Sequence, residues 1–130
     1  MIRCMRIWTN TDGNSDFEAG RIDLCDAHGA DLLSHVAPAA SISFRETPPG
    51  GDFAWHDAPA VQLVITLSGT LRFTVKDGRS FTINPGDILF AEDTTGSGHN
   101  WRLLDEAPWR RAYVILPNPA KAPFVADVKR

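Results

Sequence analysis

Hydrophobic and polar residues alternate along this chain in short runs, broken at close intervals by Gly, Pro, Asn and Asp. Ile42 and Phe44 alternate with Ser41, Ser43 and Arg45 until Thr-Pro-Pro-Gly-Gly at 47–51 stops the run, the pattern of a strand with one wet face. Val61–Leu67 differs. Val61, Leu63, Ile65 and Leu67 are apolar on one parity and Val64 on the other, beside Gln62 and Thr66, so both faces need cover and a central strand is expected. Leu71, Phe73 and Val75 then alternate with Arg72, Thr74 and Lys76, and Lys-Asp-Gly at 76–78 turns the chain back through Phe81 and Ile83. Asn84-Pro85-Gly86-Asp87 is a further tight turn, leading into a strand over Ile88–Ala91. Met5–Thr9, Trp101–Leu104 and Arg111–Leu116 complete the expected strands, while 27–38 reads as loop because Ala-Pro-Ala-Ala stops any helical turn there. Closely spaced strands with no credible long helix predict an all-β closed or sandwiched antiparallel architecture.

At 130 residues the chain is expected to form one domain with one self-sufficient core. Its 13 Lys+Arg against 16 Asp+Glu, with no basic cluster longer than Arg110-Arg111, argue against nucleic acid as a partner. No apolar stretch approaches a membrane span, and no apolar run follows the early arginines, so a cytoplasmic, membrane-free protein is expected. Cys4 and Cys25 are too few and too far apart for a disulfide framework or zinc knuckle, and read as reduced thiols.

One set of spacings carries a resemblance. Gly50 is followed after five residues by His56, after one more by Ala58, after three by Gln62 and after six by Gly69. Those intervals match the first motif of the cupin family, in which a second His stands where this chain has Ala58 and a Glu where it has Gln62. The second motif is followed more loosely: Gly86 fits, Glu92 and Thr94 replace its Pro and Gly, His99 arrives two residues late, and Leu103 replaces the final Asn. The sixteen residues between Gly69 and Gly86 suit the two short strands between the motifs of small microbial cupins, and the loop from Glu92 to His99 is similar to one in small bacterial members. The resemblance implies a jelly-roll β-barrel, with 41–117 as its core, 1–40 as added strands or an arm, and 118–130 as a tail.

It also implies a metal site on the inner wall, carried here by His56, Gln62 and His99, for a divalent ion such as iron, zinc, nickel or manganese. Glu92 and Asp93 are candidates to restore a carboxylate if their loop folds inward, Glu92 as a fourth ligand; otherwise both are solvated loop acids. Val64, Phe73, Phe90 and Trp101 are expected to line the interior with Gln62 and Thr66, and Ile88 shares that expectation. Thr66 is a candidate partner for the Gln62 amide, whereas Trp55 should pack outside and His28 and His35 should lie on the surface. Ser97 has no nucleophile setting.

Three functional classes stay open at this point. The first is an enzyme, an isomerase, cyclase or dioxygenase, in which His56 and His99 hold a Lewis-acidic metal or themselves act as general acid and base. The second is a module that binds a small organic molecule without turnover, and the third a purely structural domain. Apolar residues near Trp8 and Trp109, and the two-faced strand, are expected to be covered in a homodimer.

Overall fold

The computed structural model describes residues 1–127, all but Phe53 with their side chains. Among them the regular structure is entirely β: β1 (Arg3–Thr9), β2 (Ser15–Ile22), β3 (Asp26–His28), β4 (Asp31–Leu33), β5 (Ser41–Thr47), β6 (Asp52–His56), β7 (Gln62–Ser68), β8 (Leu71–Val75), β9 (Ser80–Ile83), β10 (Ile88–Glu92), β11 (His99–Leu103), β12 (Trp109–Ile115) and β13 (Phe124–Ala126). A seven-stranded sheet in the order β13-β2-β1-β10-β7-β12-β5 faces a four-stranded sheet in the order β6-β11-β8-β9, and β3-β4 form a small hairpin. All pairs are antiparallel except β1 with β10.

The strands follow local chemistry. β8 and β9 close through Gly78, whose φ of 92° only glycine adopts without strain, with Val75 N–H donating to Arg79 O at 3.0 Å. β7 lies between β10 and β12, as its two-faced pattern requires, although Leu67 at its end is exposed. Three strands go beyond the sequence reading. β2, with its Asp, Glu and Gly, has little β signal of its own and is held by β1 and β13; β6 follows the Pro-Pro-Gly-Gly break; and β13 folds the expected tail back onto β2. The stretch read as loop over 27–38 contains β4 and most of β3, an exposed hairpin outside the main sheets.

The core between the sheets gathers Met5, Ile7, Val64, Phe73, Phe81, Leu89, Trp101 and Trp109. Phe73 stacks on Phe81 with ring centroids 5.3 Å apart, and Trp101 meets Trp109 edge-on at 4.7 Å. A second cluster of Cys4, Ile22, Phe90 and Leu116 lies apart from it, packed by Leu63, Ile88, Val114 and Phe124. Burial pushes the Cys4 thiol up to about 12, and neither Cys4 nor Cys25 is in a disulfide.

These clusters correct three expectations. Phe90 and Ile88 belong to the second cluster, and Leu89 and Ala91 take the inward positions, because β10 is apolar on both parities and the turn before it sets the phase. Thr66 is buried but away from the cavity wall, and its hydroxyl accepts the Trp109 indole N–H at 3.2 Å, so it is no partner of Gln62. Trp109 itself is 2% exposed and sits in the main core.

Candidate functional site

Between the sheets lies a cavity of about 350 Å³. Gln62 and Val64 reach it from β7, Phe73 from β8, Leu89 and Ala91 from β10, and Trp109, Arg111 and Tyr113 from β12. His56 at the end of β6 and His99 at the start of β11 line it side by side, directly opposite in register, with ring centroids 4.7 Å apart. Gly98 makes that approach feasible. Its φ is 70°, and a Cβ there would collide with the His56 carbonyl and press on Asp57 N.

His56 is partly buried and its Nδ1 lies 2.9 Å from Ala54 O. Desolvation holds its pKa below the ordinary 6.5; the Ala54 bond opposes that shift and neighbouring His99 adds to it. His99 is 4% exposed, and its Nδ1 lies 2.5 Å from Asp93 Oδ2, which also accepts the Ser15 hydroxyl at 2.6 Å. With Nδ1–H donating to the carboxylate, the neutral ring presents Nε2 as its acceptor nitrogen. Asp93 is fully buried, and its Oδ1 has no hydrogen-bond partner among the described residues.

Asp93 therefore corrects the reading of a solvated loop acid, since residues from β1–β2 and β11 close over it. Glu92 points elsewhere: it accepts Arg6 Nε at 2.6 Å on the other parity of β10 and does not line the cavity. Trp55 is half exposed, His28 and His35 lie on the surface, and Ser97 accepts the Ser15 N–H at 3.3 Å. The sequence reading offered Asp93 only as one of two loop acids that an inward fold would bring to the site, and it missed Arg111. Leu89, Ala91 and Asp93 share one parity, and Trp109, Arg111 and Tyr113 share another, so the signal was present but could be read only once strand phase was known.

Arg111 is 3% exposed, and its guanidinium lies 3.7 Å above the Trp109 ring. Nε donates to the Tyr113 hydroxyl at 3.1 Å, and Nη1 to Thr47 Oγ1 at 2.8 Å and Trp109 O at 3.0 Å. Burial pulls its pKa below the ordinary arginine value, the Tyr113 bond opposing.

A metal would find three neutral donors here, the two imidazoles and the Gln62 amide oxygen. Among the described residues no three His, Cys, Asp or Glu side chains are grouped so as to hold a metal ion. Asp93 behind His99 is the kind of outer carboxylate that orients a ligating imidazole, but no anionic ligand offsets the charge of the ion. Such a set suits an exchangeable ion better than a permanent one.

Two facing sheets around an internal cavity define a double-stranded β-helix, the cupin barrel. Residues 39–125, more than half of the chain, match the model of the AraC-like ligand-binding domain, and the chain belongs to that family. Among solved structures it is similar to an uncharacterised conserved protein with a double-stranded β-helix domain from Klebsiella pneumoniae, at 19% identity over 82% of this chain and 87% of that one, with a TM-score of 0.49. A cupin superfamily protein from Desulfitobacterium hafniense is 18% identical over 72% and 84% of the two chains, with a TM-score of 0.45. The cupin domain of an XRE family transcriptional regulator from Enterobacter cloacae is 20% identical over 91% and 100%, with a TM-score of 0.34. No curated protein matches the sequence. No helix among the described residues is long and apolar enough to cross a membrane.

Proposed function

We propose that this domain binds a small organic molecule in the cavity between its two sheets. The observation that carries the reading is the cavity wall itself, apolar over Val64, Phe73, Leu89, Trp101 and Trp109, with a few polar groups converging from β6, β7, β11 and β12. At about 350 Å³ it lies at the small end of the roughly 300–1,000 Å³ range of ligand pockets. Screening a chemically diverse library by thermal shift tests it: at least one compound should raise the melting temperature and perturb the fluorescence of Trp101 and Trp109. A library without a single stabilising member would sink the proposal.

The Asp93–His99 pair favours a second reading, in which the bound molecule is turned over. A carboxylate that fixes the tautomer of His99 leaves Nε2 to take a proton from the ligand and return it elsewhere, the work of an isomerase or cyclase. Solvent deuterium appearing in the recovered ligand, and lost with His99→Ala, would support turnover; a ligand recovered unlabelled would leave simple binding. In the metal-dependent form of this reading, His56, Gln62 and His99 hold a divalent ion that supplies Lewis acidity. About one equivalent of metal in the purified protein, absent from His56→Ala and His99→Ala, is the outcome that supports it.

A homodimer is part of the proposal. Ile42 and Phe44 on the outer face of β5, and Leu67 two strands away, are 61%, 72% and 57% exposed, and β5 is the free edge of the large sheet. A second copy laid on that face would cover them and blunt the edge.

A further inference from the structure

The arginines of the large sheet are treated in two opposite ways. On the outer face, Arg110 of β12 reaches Glu46 of β5, with Nε donating to Oε1 at 2.6 Å. On the inner face the next residue, Arg111, stands directly opposite Arg45 of β5, and both line the cavity. Like charges directly opposite on one face of an antiparallel pair are unfavourable, so this register needs a reason. Neither arginine is in an ion pair with any described residue: the partners of Arg111 are a phenol, an alcohol and a backbone carbonyl, and Arg45 lies over the Tyr113 ring at 4.9 Å. Among the described residues the only carboxylate on the cavity wall, Asp57, sits beside His56.

We propose that Arg111 and Arg45, with the Tyr113 hydroxyl, form the anchor for the carboxylate of a small organic acid, whose apolar body lies against Val64, Phe73 and Trp101. The assignment rests on the reading of the cavity as a ligand pocket and adds the charge of the ligand to it. The bonds of Arg111 use Nε and Nη1, so Nη2 is the part of the fork not engaged by the protein. The Tyr113 oxygen accepts from Nε, which leaves its own proton for an acceptor in the cavity. Arg45, exposed where Arg111 is buried, supplies the second charge from the rim. An anion between the two would relieve their repulsion and give the buried guanidinium the counter-charge that the chain withholds. A carboxylate suits the site better than a phosphate. Phosphate sites draw on backbone N–H groups at loops or helix N-termini, and the amides of β12 are taken up in ladders with β5 and β7 on either side.

Paired acids and amides test this by calorimetry at fixed ionic strength, with benzoate against benzamide, hexanoate against hexanamide, and phenylphosphonate as the competing anion. For the pair that binds, the acid should bind the wild type about tenfold or more tightly than its amide, a gap typical of one charged hydrogen-bonded contact. Arg111→Met should weaken the acid about tenfold and leave the amide within about twofold, and Arg45→Gln, at an exposed position that does not threaten folding, should weaken the acid about threefold. Arg110→Gln, on the outer face, should change neither. Amides that bind as well as their acids, to wild type and variants alike, would overturn the anchor and leave the ligand pocket standing. Phenylphosphonate binding more tightly than benzoate would overturn the choice of carboxylate. If none of the five probes binds, the anchor is overturned, and the library screen decides the pocket reading separately.

Discussion

Asp93 shows how much one buried side chain can organise. Its Oδ2 holds both the Ser15 hydroxyl and the His99 ring, and its backbone carbonyl accepts the Ala58 N–H at 2.8 Å, so a single residue ties the β1–β2 end, the β6–β7 loop and β11 together. Asp93→Ala should therefore destabilise the fold by about 1–3 kcal/mol, since it strips partners from two buried polar groups. Urea denaturation would measure it, and a double-mutant cycle with His99→Ala should show the two losses to be far from additive; full additivity would mean that the pair is not coupled. Sequence alone could not assign this role, because an acid between a Glu and a Thr/Gly/Ser loop looks like surface until residues 78 positions upstream and 6 downstream are seen to close on it. His56, Gln62 and His99 were legible through the resemblance to the cupin motifs, His99 even though it arrives two residues late, and all three line the cavity.

At the scale of elements, what mattered was the phase of each strand. The alternation in β8 and β9 is clean, so its inward residues, Phe73, Phe81 and Ile83, were readable; β10 is Ile-Leu-Phe-Ala-Glu, apolar on both faces, and its phase follows from pairing with β1 and β7. Gly98 fixes the junction at which β11 meets β6. Gly98→Ala should cost about 1–3 kcal/mol through its positive φ and the collision with His56, and ligand stabilisation should fall with it as the two imidazoles separate; unchanged stability and unchanged binding would show that the close approach is dispensable.

A second junction ties the sheets together at the start of β2, beside Ser15. Arg79 Nη2 donates to Asp16 Oδ1 at 2.8 Å and its guanidinium covers Phe17, linking β2 to the β8–β9 turn. The Arg79 hydrogen bond lowers the Asp16 pKa below the ordinary 3.8. A carboxylate with a depressed folded pKa contributes stability that is complete above 3.8 and is lost as pH falls through the lower folded value. Asp16→Asn should thus lower the urea midpoint at neutral pH and flatten its decline below pH 3.8. A variant whose acid limb matches the wild type would rule the link out.

For the molecule as a whole, the proposed dimer rests on the outer face of β5 and is tested in solution. Sedimentation velocity should show dimers that dissociate on dilution, and Phe44→Glu, by placing a charge in the centre of the exposed apolar row, should give monomers of unchanged fold. A wild-type chain that is monomeric at every concentration would remove the dimer from the proposal. The barrel architecture was the part most open to sequence reading, because turn chemistry and alternation repeat along the whole chain. Membership of the large sheet was not, because β1 and β2 are placed by partners far away in sequence.

That placement has a consequence for how the protein comes into being. β1 is made before the other strands of the large sheet, yet one of its two neighbours, β10, lies more than eighty residues later, and β2 gains its outer neighbour only when β13 has been made. Until then the nascent chain carries Met5 and Ile7 without the wall they will face, and an early hairpin of β1 and β2 whose two outer edges are open. Synthesis must pass Asp127, whose N–H donates to Ala19 O, before the sheet can close, so of its strands β1 and β2 wait longest with open edges.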